Sequence, residues 1–165
     1  MQPEFKTYQA QVLTPNYMIT GVFTPRGDPF VFINDVNVNS FTIQVASLTP
    51  LRPDARTGEI AARDLIIPRA MAEVLIIGEY TVGEARPLPK TELLTCYTES
   101  YVIRGQIHMS PEVSGLDVFN ALRGPFYAAT DVEIFCLRQT MVDVSGVADL
   151  VFINGETIEA YSVDR

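Results

Sequence analysis

YMITG, at residues 17–21, and YVIRG, at residues 101–105, are two versions of one short pattern. Both contain a tyrosine, an isoleucine and a glycine at the same spacing, and the offset from position 17 to position 101 is 84 residues. The β-branched and aromatic residues are typical of a strand. Further matches follow in order at an offset of 86 residues: Asn34 with Asn120, Phe41 with Tyr127, Leu48 with Ile134, and Leu51-Arg52 with Leu137-Arg138. We therefore predict two copies of one β-rich unit.

Most of the chain has the composition of β-strands. Four stretches combine β-branched and aromatic residues with period-2 alternation: residues 9–24, 40–48, 93–109 and 129–137. The segment SGLDVFNALRGP, at residues 114–125, predicts a helix with Ser114 as its cap and Gly124-Pro125 as its end. The matching segment of the first half, residues 26–38, shows this pattern less clearly and is interpreted as a loop or a strand.

The domain boundary is predicted at a segment that is rich in proline. Pro87 and Pro89 cannot donate to a sheet ladder, so the sequence around them is the best candidate for a linker. We assign residues 1–86 to a first β domain, residues 87–92 to the linker and residues 93–165 to a second β domain. Units of this size bury a limited fraction of their surface, so we expect the two to pack on each other or on other proteins.

Charge and hydropathy exclude several classes of function. The net charge is −8, and the 12 Lys and Arg residues are scattered, so we expect no binding to nucleic acid. The N-terminal residues lack the pattern of a signal peptide, and the apolar runs are far shorter than a bilayer requires, so we expect a cytoplasmic protein without membrane insertion. Cys96 and Cys136 are interpreted as free, buried thiols.

The order of strands, helix and closing strand pair resembles the small barrels of the Sm-like and SH3-like type. At the residue level, the second half resembles an uncharacterised bacterial family of single small β domains, through YTESYVIRGQIHMSPEVSGLDVFNAL (97–122), FYAATDVEIFCL (126–137) and DLVFINGETIEAY (149–161). The resemblance covers residues 96–161 well, and residues 12–77 only through the internal matches. It implies a mainly β fold of two tandem Sm-like or SH3-like barrels, with a short helix in at least the second, and no established activity.

The chain has few residues that could carry out chemistry. His108, the single histidine, is interpreted as a surface or capping residue near a turn, and Asp28, Asp35 and Asp117 as solvated loop acids. Nucleophile elbows, phosphate-binding glycine loops and metal-binding motifs are absent from the sequence, so no cofactor, metal or catalytic residue is predicted. RPDAR, at residues 52–56, resembles the opening of the PilZ nucleotide-binding module, but Ala148 occupies the position where that module needs glycine.

The predicted function is assembly through protein contacts, not catalysis. An open barrel leaves unpaired backbone groups at its edge strands, and a neighbouring chain can pair with them. The interaction edges are predicted in the closing strand pairs of both halves, at Leu65, Ile67, Leu75, Ile76, Val151, Ile153 and Ile158. We expect a homo-oligomer or a subunit of a larger complex or ring. The alternative is a ligand-binding or regulatory module that uses a cleft between the halves.

Overall fold

A computed structural model describes residues 5–78, 88–121, 124–140, 144 and 146–164 of the chain. The described strands are β1 (Tyr8–Leu13), β2 (Tyr17–Phe23), β3 (Ser40–Pro50), β4 (Ile60–Pro68), β5 (Val74–Ile77), β6 (Lys90–Tyr97), β7 (Tyr101–Met109), β8 (Phe126–Cys136), β9 (Gly146–Asn154) and β10 (Ala160–Val163). The described helices are α1 (Pro29–Asn34) and α2 (Val118–Ala121), and single 3-10 turns cover Arg69–Met71 and Gly155–Thr157. The prediction of a mainly β protein is confirmed.

All ten described strands form one antiparallel sheet. The strand order is β10-β6-β7-β8-β9-β5-β1-β2-β3-β4, so β1–β5, here called the first half, lie on one side of β6–β10, the second half. The halves meet where β5 pairs with β9, and β4 and β10 lie at the two ends. The sheet does not close on itself, so the finer expectation of two separate barrels is not confirmed.

The strands that carry the opening pattern have the same local geometry. β2 begins at Tyr17 and β7 begins at Tyr101, and both Ile19 and Ile103 are buried, as their spacing from the glycines predicts. The strand register shifts at Gly21, where a Cβ atom would lie 2.5 Å from Ile43 Cγ2. It shifts again at Gly105, where a Cβ atom would lie 2.8 Å from a side-chain carbon of the next strand. Glycine at these positions lets two strands approach closely.

The helices differ from the sequence-based expectation in both halves. Residues 29–34, which we interpreted as loop or strand, form α1 because Asp28 caps it: Asp28 Oδ1 accepts hydrogen bonds from Phe30 N at 2.9 Å and Val31 N at 3.1 Å. Pro29 supplies a backbone angle suited to the first turn. In the second half, the described helical residues of the segment predicted at 114–125 are the four of α2, and Leu116, which precedes them, is exposed.

The hydrophobic core consists of two clusters, and each contains side chains from both halves. The first cluster combines residues of β1–β5 with Phe126, Ala128, Leu150 and Phe152. The second combines residues of β6–β10 with Leu13, Leu51 and Val74. Because each half completes the core of the other, the joint between them is part of the packed interior.

The predicted linker is only partly described. Residues 79–87 lie outside the described part of the chain, and the structure continues from residue 88 into β6, which begins at Lys90. Residues 90–92 of the predicted linker are therefore strand residues. Within the described ranges, no helix is both long enough and apolar enough to cross a membrane.

Candidate protein-interaction edges

The inner joint is the short ladder between β5 and β9. Val74 lies opposite Ile153, Leu75 opposite Phe152, and Ile76 opposite Val151. Four of the residues predicted as interaction edges, Leu75, Ile76, Val151 and Ile153, are thus brought together inside the chain. Leu75, Val151 and Ile153 are buried there and Ile76 is half-buried. These residues hold the two halves together, which shows how two strands of this type join.

Polar contacts surround the apolar ladder and connect the halves. The Tyr101 hydroxyl donates to Thr14 O at 2.7 Å, and both groups are buried. The amide of Asn34, at the end of α1, makes two bonds to the backbone of Phe126: Nδ2 donates to its carbonyl at 3.1 Å, and Oδ1 accepts from its N–H at 2.8 Å. These bonds satisfy backbone groups that would otherwise be buried without partners, so they also fix the orientation of the two halves.

Three contacts of β9 complete the joint. The Asn154 side chain donates to Ala72 O at 2.9 Å, and its backbone N–H donates to Glu73 O at the same distance. The ring of Phe152 packs against Phe30 of α1 with centroids 5.4 Å apart. The joint therefore involves α1 as well as β5, which explains why the helix in the first half is needed to cover β9.

Glu73 is an acidic side chain almost fully buried beside this joint. Desolvation raises the pKa of its carboxyl group to about 7, although the Thr98 hydroxyl, which donates to Oε2 at 3.3 Å, acts in the opposite direction. Glu99 and Glu159 raise the pKa further and Arg138 lowers it. The joint thus contains a carboxyl group that changes its charge near neutral pH.

The first outer edge is β4. Leu65 and Ile67, which we predicted at the edge, face the core: Leu65 is half-buried and Ile67 is buried. Ile66 points to the opposite side and is exposed. The sequence prediction overlooked Ile66, although the alternation along DLIIP would have identified it once β4 was known to be terminal. The outer edge thus combines an apolar side chain with a strand that has one described neighbour, β3.

The second outer edge is β10. Ala160 and Ser162 are exposed, while Tyr161 is half-buried and packs on Phe119 with ring centroids 4.8 Å apart. Ile158, the last predicted edge residue, lies between the 3-10 turn and β10, where it is half-buried against the second core. Its role as an edge contact stays a prediction, whereas β10 itself has one described neighbour, β6.

The residues considered for chemistry make structural contacts. His108 lies in β7, not in the turn: Nδ1 is 2.8 Å from Leu88 O and Nε2 is 2.9 Å from Thr130 Oγ1. Because a carbonyl oxygen only accepts, Nδ1–H donates to Leu88 O. Asp28 caps α1, and Asp35 Oδ1 accepts from Asn37 N at 2.9 Å. Among the described residues, no group of three or more His, Cys, Asp or Glu is placed to hold a metal ion.

A cleft of about 210 Å³ lies where loops of the two halves meet. Its walls include Pro15, Leu51 and Arg52 from the first half and Ser100 and Arg138 from the second. Arg138 Nη2 donates to Ser100 Oγ at 2.7 Å and to Pro15 O at 3.1 Å, so its guanidinium group is held in place. Among the described residues, this cleft best matches the cleft between the halves that the alternative function, a ligand-binding module, requires.

Comparisons of the chain with protein-family models, curated proteins and solved structures found no match.

Proposed function

We propose that this protein is a structural assembly component, not an enzyme, and that it works by pairing the edges of its sheet with other protein chains. The observation that carries the proposal is the open ten-stranded sheet, which ends in β4 on one side and β10 on the other. Terminal strands present backbone N–H and C=O groups that a further strand can pair with. The exposed Ile66 adds an apolar contact at the β4 edge.

We also propose that the chain consists of two tandem Sm-like β domains, one in each half. β3 and β8, β4 and β9, and β5 and β10 begin and end 86 residues apart. Val45 and Asp131, at the same offset, are the described non-glycine residues with positive φ, at 48° and 52°. Corresponding loops also contain equivalent hydrogen bonds: Leu51 N donates to Asn16 O at 2.8 Å in the first half, and Leu137 N donates to Ser100 O at 2.9 Å in the second. Shared irregularities of this kind support a common fold for the halves.

The test of the assembly function is the mass of the native protein. Light scattering across a concentration series of the purified chain, and sedimentation of the chain in extract of its own cells, report the mass without and with natural partners. We expect a mass above that of one chain in at least the extract. A single-chain mass in both samples would overturn the proposal.

A binding module is the second candidate, because the cleft between the halves contains a positioned guanidinium group at Arg138. A guanidinium fork suits carboxylate or phosphate groups. Thermal-shift measurements with inorganic phosphate and citrate, on the native chain and on Arg138→Lys, test this alternative. Stabilisation by an anion that is lost in the variant would favour it, and no stabilisation would exclude a site for these two anions.

A further inference from the structure

The two outer edges correspond to the two strands of the inner joint. β10 lies 86 residues after β5, and β4 lies 86 residues before β9. Within the chain, β5 and β9 pair with each other. Their counterparts, β10 and β4, are the two strands that end the sheet, so the chain presents at its outside the same pair of elements that it joins at its centre.

Side chains on the β4 side are exposed where their counterparts in the joint are buried. Tyr17 exposes 40% of its surface, whereas Tyr101, which bonds across the joint, exposes 1%. Ile66 exposes 67%, whereas Phe152, which packs on α1 across the joint, exposes 1%. The β4 side therefore resembles the β9 side of the joint with its covering removed.

The β10 side shows the same difference. Leu137 exposes 53% of its surface and its counterpart Leu51 exposes 3%. Tyr97 exposes 41%, against 0% for Leu13. Leu51 and Leu13 both belong to the second core cluster and are covered by the other half. Leu116, 63% exposed, corresponds to Phe30, the α1 residue that packs on Phe152. Apolar exposure on both sides of the molecule thus follows the pattern of the joint.

We propose, building on the assembly function above, that copies of this chain join head to tail, with β10 of one copy pairing antiparallel to β4 of the next. The inner joint supplies the register. Shifting its three residue pairs by 86 positions places Ala160 opposite Ile67, Tyr161 opposite Ile66, and Ser162 opposite Leu65 of the second copy. The occupant of each outer edge is therefore the opposite edge of another copy.

The contacts around the joint also transfer to the contact between copies. Tyr17 of the second copy takes the place of Tyr101, the residue whose hydroxyl bonds across the inner joint. Asn120 of the first copy takes the place of Asn34 and bonds the backbone of Ser40 in the second.

The apolar contact between α1 and β9 has a counterpart as well. Leu116 of the first copy packs on Ile66 of the second, as Phe30 packs on Phe152. Two exposed apolar side chains therefore cover each other.

The bonds that Asn154 makes across the joint, from its backbone N–H to Glu73 O and from its side-chain amide to Ala72 O, have no counterparts between copies. Pro68 occupies the corresponding position of β4 and has neither a backbone N–H nor a side-chain amide. The ladder between copies is one hydrogen bond shorter. The contact joins two different surfaces, so it closes into a ring or extends into a filament according to the rotation at each step.

Disulfide trapping tests the register. A Leu65→Cys chain and a Ser162→Cys chain, both carrying Cys136→Ala, are mixed and oxidised; Cys96 is fully buried and is kept. Opposed residues of an antiparallel pair lie about 4.5–5.5 Å apart, within the reach of a disulfide. We expect a disulfide-linked dimer of the two different chains, with the 65–162 bond identified by peptide mass spectrometry.

The matched control replaces Leu65→Cys by Arg63→Cys, which lies on the same face of β4 but about 6.6 Å further along it. We expect roughly tenfold less cross-linking with this chain, because residues 63 and 162 would then be diagonal neighbours about 8 Å apart, beyond the roughly 7 Å that a disulfide spans. Equal cross-linking in both mixtures, or assembly by light scattering without the 65–162 bond, would overturn the proposed contact but leave the assembly function intact. A single-chain mass in all samples would overturn both.

A second variant tests the apolar contact without altering a core residue. Ile66→Asp places a charge where Leu116 of the other copy is proposed to pack, so we expect association to weaken at least about tenfold by light scattering. Val45→Asp is the control: Val45 is also exposed, lies in β3 away from the outer edge, and corresponds to Asp131 in the other half. Circular dichroism checks the fold of both variants. Unchanged association of Ile66→Asp would contradict the proposal.

Discussion

Glu73 makes the stability of the protein depend on pH. Its pKa is raised from 4.5 to about 7 by desolvation, so the folded chain retains a proton that the unfolded chain releases. Between about pH 4.5 and pH 7 the folded state therefore binds more protons, and stability falls as the pH rises through this range. The full loss of folding stability, reached above pH 7, is up to about 3 kcal/mol.

Glu73→Gln should remove this dependence, because the amide is neutral at every pH and still offers an oxygen to Thr98. Urea unfolding at pH 5 and pH 8 measures it. We expect the unfolding free energy of the variant, relative to that of wild type, to be higher at pH 8 than at pH 5. Glu112→Gln, which changes an exposed carboxylate that does not contribute to the Glu73 pKa shift, is the control. A wild-type stability that rises from pH 5 to pH 8 by as much as that of the variant would contradict the prediction.

At the scale of single residues, the sequence predicted which side of a strand a side chain faces. It did not predict exposure or burial that depends on distant parts of the chain. The buried positions of Ile19 and Ile103 followed from alternation around Gly21 and Gly105, since a strand has a fixed period of two. The exposure of Ile66 depends on which strand ends the sheet, and the burial of Glu73 depends on the half that covers it. Both properties are set by residues distant in the sequence, so local patterns do not contain them.

At the scale of elements, α1 links its N-terminal cap to the joint between the two halves. Asp28 fixes the first turn of the helix, while Phe30 and Asn34 contact the second half. Asp28→Ala should destabilise the protein by about 1 kcal/mol, because two backbone N–H groups lose their acceptor. Asp28→Asn keeps an acceptor oxygen and should cost less. Thermal or urea unfolding of the two variants measures the difference, and equal losses would contradict the capping role.

The strands were more predictable than the helices. Strand segments are marked by β-branched residues and alternation over many positions, so β2 and β7 fall within the predicted stretches, and β3 and β8 overlap them over most of their length. α1 is a helix of six residues in which Phe30, Val31, Phe32 and Ile33 also suit a strand, and a single cap with proline decides its structure. In the second half, the described helical residues begin later than the pattern of apolar residues indicated.

At the scale of the whole molecule, the two hydrophobic clusters should unfold together, because each contains side chains from both halves. Leu13, Leu51 and Val74 lie in the cluster of the second half, and Phe126 and Phe152 lie in that of the first. Separating the halves would expose these side chains, at a cost of roughly 1.5–3 kcal/mol for each large one. We expect one cooperative transition in urea, with circular dichroism and tyrosine fluorescence giving coincident curves. Two separate transitions would show that the halves are independent.

The sequence predicted two related units, but it did not predict that the ten described strands form one sheet. Internal matches at offsets of 84 and 86 residues favour two related units, and this relation stays a prediction. Their union in one sheet depends on the pairing of Leu75 and Ile76 of β5 with β9, a contact between segments far apart in the sequence. The sequence of either strand alone does not specify which other strand it will pair with.

The covalent continuity between β5 and β6 has a kinetic consequence for assembly. Because both strands of the inner joint belong to one molecule, that joint forms at an effective concentration in the millimolar range for a short linker, whatever the amount of protein present. In the proposed head-to-tail assembly, every second joint is therefore preformed. A given number of β units then requires half as many bimolecular encounters as the same number of separate single-domain chains would need, and dilution acts only on the contacts between β10 and β4.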